Sequence, residues 1–138
     1  MLINVSYNNK EQRTAIDTAV GKPFTLIDRL KLVGVGSPKL RIRSSSKEID
    51  SLLLLDNNEN SCNIELRPRG LILRFRSLLE TFALVIPYYK LTLFKGKSDT
   101  YSVHFDHHKV EVSAQSKPVH AFFKKVKHQK AESTKDYL

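Results

Sequence analysis

The stretch Cys62-Asn-Ile-Glu-Leu-Arg-Pro-Arg-Gly-Leu-Ile-Leu-Arg-Phe75 decides the fold. Pro68 and Arg69 suit the centre of a tight turn that ends at Gly70. Folding the chain back there sets Leu66 against Leu71, Ile64 against Leu73 and Cys62 against Phe75, so the apolar residues share one face. The opposite face sets Glu65 against Ile72 and Asn63 against Arg74 and is mostly polar. A slip of one residue would send every side chain to the wrong face, so this hairpin specifies its own register.

Working toward the C-terminus, the same arithmetic applies again. With His107-His108 as a two-residue loop, Phe105 pairs with Val110, Val103 with Val112 and Tyr101 with Ala114. That register sets His104 opposite Glu111 and Ser102 opposite Ser113. Residues 82–89 and 91–94 supply two further strands, with Pro87 marking an edge or a bulge between them and residues 95–99 forming a turn. In residues 118–130, Val119, Phe122, Phe123 and Val126 recur at helical spacing. Pro118 suits the first helical position, Ser116 or Lys117 would sit at the cap, and the apolar stripe should plug an open side of the sheet. From Ala131 to the end the composition turns polar, which predicts a frayed tail over residues 131–138.

Toward the N-terminus, Leu40 and Ile42 alternate with Arg41 and Arg43, as a first strand would. Residues 52–55 read as a strand apolar on both faces, followed by a polar turn over residues 56–60. Before these the period is helical. Ala15, Ile16, Ala19 and Val20 mark one helix, capped by Asn8 or Asn9 and stopped by Gly21 and Pro23. A second short helix follows from Thr25 and Asp28, which resemble a capping box, with Leu26, Ile27, Leu30 and Val33 on one face and Gly34 as terminator. Residues 1–7 are a short strand or an unattached end.

Composition bounds what such a chain can be. At 138 residues it fits one unit with a sizeable core. A single Cys62 excludes an internal disulfide and weakens any zinc site built on thiolates. No apolar run approaches the roughly 18 residues of a membrane span. The start, Met1-Leu-Ile-Asn, lacks the charged region and cleavage site of a signal peptide, so a cytoplasmic location is expected. The net charge is +9, which brings anionic partners into consideration. The charge is most one-sided from Gln115 onward, where six Lys face only Glu132 and Asp136.

These readings predict an α+β protein. An N-terminal helical segment with a first strand occupies residues 1–50. Residues 51–130 form an antiparallel sheet or partial barrel, about seven strands in all, capped by the C-terminal helix, and the whole makes one unit. The phrases Ile64-Glu-Leu-Arg-Pro-Arg-Gly-Leu-Ile-Leu-Arg74 and Val85-Ile-Pro-Tyr-Tyr-Lys-Leu91 resemble bacterial pleckstrin-homology-like (PH-like) and GRAM-type domains. In that family a strand, turn, strand segment is followed by an Ile-Pro-Tyr-like element and later by the capping helix. The resemblance implies a scaffold that binds phosphoinositides, peptides or partner proteins, and the basic motif of its lipid-binding members has a loose counterpart in Arg67, Arg69, Arg74 and Arg76.

Those arginines suit bidentate contacts to phosphate or carboxylate. Their register points Arg74 and Arg76 outward and sets Arg69 at the turn tip. Lys124 and Lys127, with Lys125 and Lys130, make the outer face of the last helix basic. His107 and His108 are metal-ligand types, but neighbouring strand residues face opposite ways, so neither a metal nor a cofactor is expected. His104 opposite Glu111 reads as a surface cross-strand pair, and Cys62 as a buried, unreactive thiol. Of Tyr88 and Tyr89, one should face the core and one solvent. No nucleophile, base and orienting group fall together, so a non-enzymatic binding or scaffolding module is expected, with an unknown protein or peptide partner. The alternative is electrostatic binding of anionic lipid or nucleic acid through the basic hairpin and the C-terminal helix. An uncovered sheet edge would also invite a homodimer by strand pairing.

Overall fold

In the computed structural model, which describes residues 1–7, 9–55, 60–97 and 99–135 (134 and 135 by backbone only), eight strands form one antiparallel sheet. The elements run β1 (Leu2–Asn4), α1 (Lys10–Val20), α2 (Leu26–Lys31), β2 (Leu40–Ser45), α3 (Lys47–Leu53), β3 (Ser61–Arg67), β4 (Gly70–Ser77) and β5 (Glu80–Pro87). A 3-10 turn (Tyr88–Lys90) leads to β6 (Thr92–Lys95), β7 (Thr100–Phe105), β8 (His108–Ser113) and α4 (Lys117–Lys135). The spatial order is β1-β5-β4-β3-β2-β8-β7-β6. β2 joins the halves: Leu40 and Arg41 pair with β3, while Ile42, Ser44 and Ser45 pair with β8, with an irregularity between Ile42 and Ser44.

The β3–β4 hairpin has the register its sequence specifies, with Cys62 opposite Phe75, Ile64 opposite Leu73 and Leu66 opposite Leu71. Its polar face is not simply open to solvent. Ile72 on β4 and Ala83 and Val85 on β5 are buried there against Ile16 and Val20 of α1, a second, smaller core. The main core lies on the other face. It holds Ile64, Leu73 and Phe75, with Ile49 and Leu53 from α3 and Val119, Phe122, Phe123 and Val126 from α4. All four stripe residues of α4 are therefore buried, each large side chain contributing about 1.5–3 kcal/mol, and Phe123 stacks on Tyr101 with ring centroids 4.2 Å apart.

Several expectations are corrected. Residues 52–55 are not a strand: α3 ends at Leu53, buried at i, i+4 from Ile49, while Leu54 and Leu55 are exposed. A run of four leucines has no period of its own, and the helical spacing upstream decides. The second hairpin turns at Asp106-His107, so Phe105 pairs with His108, Val103 with Val110 and Tyr101 with Val112. Asp106 takes a left-handed φ of 53°, which aspartate tolerates better than histidine. His104 consequently faces Lys109, and Glu111 faces Ser102. Pro87 ends β5 and Tyr88-Tyr89-Lys90 is a 3-10 turn, which buries Tyr88 and leaves Tyr89 exposed.

At the N-terminus, β1 is attached, pairing with β5. Asn9 caps α1, its side chain accepting from the Glu11 and Gln12 amides, and Asn8 lies outside the described residues. Thr25 caps α2 by accepting from the Asp28 amide. The apolar face of α2 is exposed at Leu26, Ile27, Leu30 and Val33. α4 continues through Lys135, so the polar segment from Ala131 is helical that far, and residues 136–138 lie outside the described residues. So do residues 56–59 of the expected polar turn and Ser98 of the turn before β7.

Candidate anion-binding groove

The hairpin arginines divide into two pairs. Arg67 is buried: its Nη1 donates to Asp17 Oδ1 at 3.1 Å and to the Gly21 carbonyl at 2.9 Å, and its Nε donates to Glu65 Oε2 at 2.6 Å. Arg69 donates through Nη2 to the carbonyls of Asp17 and Thr18, at 3.3 and 3.1 Å. Both carbonyls belong to the last turn of α1, where a cation complements the helix dipole, and that of Asp17 also accepts from the Gly21 amide at 2.8 Å. The Arg69 amide donates to the Val20 carbonyl at 2.9 Å, and on the other side the Tyr88 hydroxyl donates to the Arg67 carbonyl at 3.1 Å. The turn is thus clamped between α1 and the 3-10 turn. Arg67 and Arg69 are occupied in building the fold.

Arg74 and Arg76 lie farther along the outer face, Arg74 bordering α1 across a cleft with Gln12, Arg13, Ile16 and Asp17. The two arginines line an open groove of about 1060 Å³ with Lys39, Ser61, Asn63 and Thr81. Arg74 donates to Glu65 Oε1 at 2.8 Å. Burial alone would raise the Glu65 carboxyl, but hydrogen bonds from Arg67 and Arg74, with their charges, hold it below its ordinary value. The side chains of Lys39 and Arg76 are exposed, with no side-chain hydrogen bond or ion pair among the described residues. Leu78 and Leu79, the tip of the β4–β5 hairpin, form the rim. They are 57% and 88% exposed, and Leu78 sits at a φ of 56°. A left-handed leucine costs roughly 1–2 kcal/mol, which glycine would avoid.

The α4 lysines do not line this groove. Lys125 donates to the carbonyls of Val33 and Gly34 at 3.3 and 3.2 Å, and Lys130 donates to that of Leu91. Lys124 is exposed, and Lys127 Nζ lies 5.8 Å from the Tyr101 ring centroid. Lys39 and the leucine rim were not anticipated. Lys39 precedes a strand whose neighbours only the tertiary fold reveals, and the Leu78-Leu79 pair carries no polar signal of a turn.

Cys62 touches the groove only as a buried wall, and burial pushes its thiol up to about 12. Among the described residues no carboxylate or imidazole lines the groove, so its polar chemistry is that of cations, hydroxyls and an amide. Such a lining can neutralise and orient an anion but has no group suited to moving a proton near neutral pH. No helix among the described residues is long and apolar enough to cross a membrane. Compared with protein-family models, curated proteins and solved structures, the chain has no match.

Proposed function

We propose that this chain is a non-enzymatic, PH-like binding module that docks on an anionic lipid surface through the groove of Lys39, Arg74 and Arg76. The observation that carries the reading is the rim. Two leucines stand exposed at a hairpin tip, one of them in a strained conformation, in the same groove lining as the exposed cations Lys39 and Arg76. Neither burial nor backbone preference accounts for them, whereas a lipid interface takes apolar tips and cationic flanks together. The order β2–β8 then α4 supports the PH-like reading, being seven antiparallel strands, with α3 inserted after the first, followed by an amphipathic helix. A nucleic-acid surface is the weaker reading, because the exposed rings Tyr7, Tyr89 and Phe94 lie outside the groove. A homodimer through a sheet edge is weaker too. β1 and β6 are the edges and have only 3 and 4 residues, and short edges limit strand pairing.

The test is co-sedimentation with phosphatidylserine-containing and neutral vesicles, with a mixed oligonucleotide as competitor, at about 50 and 300 mM salt. Binding to anionic vesicles alone is expected, falling steeply with salt. Arg76→Glu should weaken it at least fivefold, since each basic residue near such a surface contributes about 1 kcal/mol, and Leu79→Asp should weaken it by replacing an apolar contact with a like-charged group, while Lys124→Glu should not. Absence of vesicle binding at low salt overturns the lipid reading, and capture by the oligonucleotide alone transfers the groove to nucleic acid. If neither surface binds, a protein or peptide partner becomes the reading to pursue.

A further inference from the structure

Where β7 turns into β8, three chemically matched side chains meet from distant parts of the sequence. The turn at Asp106-His107 presents His107 and His108 together, their ring centroids 4.1 Å apart. Glu48, in the first turn of α3, reaches the same place, with Oε1 3.0 Å from His107 Nε2. One ligand atom from each of the three lies within 4.8 Å of the other two. His108 is only 6% exposed, and its Nδ1 has no hydrogen-bond partner. An orphaned ring nitrogen in a buried residue is costly unless something occupies it. The adjacent pair can converge because His107 belongs to a turn, so the alternation expected of a strand does not apply.

We propose that Glu48, His107 and His108 form a binding site for a divalent transition-metal ion of the zinc class. Two imidazoles and one carboxylate are a ligand set that such ions take with a fourth position left to water or a small ligand. Tetrahedral ligands at bond lengths near 2.0–2.1 Å stand about 3.3 Å apart, so shifts of about 1–1.5 Å close the set. Glu48 and His107 are exposed and can make those shifts, while buried His108 supplies the fixed point. The ion would fasten the start of α3 to the β7–β8 turn. This proposal is independent of the groove.

The untagged full chain is titrated with Zn²⁺ by calorimetry, with Co²⁺ by visible absorption, and with Mg²⁺ as a hard-ion control. One equivalent of Zn²⁺ should bind, Co²⁺ should give the intense visible bands of a four-coordinate site, and Mg²⁺ should give no heat. His107→Ala and Glu48→Gln should each weaken Zn²⁺ at least tenfold. Both positions are exposed, and unchanged circular dichroism would verify that the variants fold. Absence of Zn²⁺ binding, or an affinity that either substitution leaves unchanged, overturns the site.

Discussion

Arg67 Nη1 lies 3.1 Å from Asp17 Oδ1, joining the buried end of β3 to the last turns of α1. The pair fixes the helix over Ile72 and Val85 and so creates the second core. Arg67→Ala should destabilise the protein by about 2 kcal/mol, less than the loss of one partner of a fully buried pair, because Glu65 keeps Arg74 and Asp17 is partly solvated. Urea unfolding measures this, and a loss under about 0.5 kcal/mol would show the pair to be energetically idle.

Acid should attack the same network. The carboxyl of Glu65 is held below its ordinary value of 4.5, so its ionised form is favoured in the folded state. Its stabilising contribution is complete above that value and is lost as pH falls through the lower folded pKa. Arg74→Ala should therefore move the onset of acid unfolding to higher pH, and Glu65→Gln should flatten the dependence in that window. A wild-type acid profile in both variants would contradict the assignment.

Gly70 leaves no room for a methyl group. A Cβ there would fall on the Ile86 carbonyl oxygen and within 2.9 Å of Pro87 Cα, both backbone atoms. Gly70→Ala should cost about 1–3 kcal/mol through overpacking, whereas Gly36→Ala, with nothing within 4 Å, should be near neutral. Equal melting temperatures for the two would refute the close approach.

The thiol of Cys62, buried and pushed up to about 12, should resist modification. In native buffer at pH 8 a disulfide reagent should label it only at the rate of unfolding, and in denaturant at once. Rapid native labelling would mean that the hairpin opens locally.

What could be read from the sequence follows the range of the interactions. The β3–β4 register was legible because Pro68, Arg69 and Gly70 fix the turn and alternation fixes the faces. The β7–β8 hairpin was placed two residues off, yet its faces came out right, since a slip of two preserves alternation. Arg67 looked like a ligand contact because Asp17, its partner, lies far away in sequence. The apolar spacing of α2 identified a helix and not its surroundings, since Leu26 and Leu30 face solvent. Glu48 went unnoticed beside a leucine run read as a strand, and without Glu48 the two histidines had no third ligand.

β2 pairs early residues with β3 on one side and with β8, near the far end of the chain, on the other. The two halves of the sheet are not joined until that long loop has closed, and closure loses chain entropy before the contacts reward it. Folding should therefore be slow for a chain of this length. During synthesis β2 emerges early and must wait for β8, which makes the order of events a property of one six-residue strand.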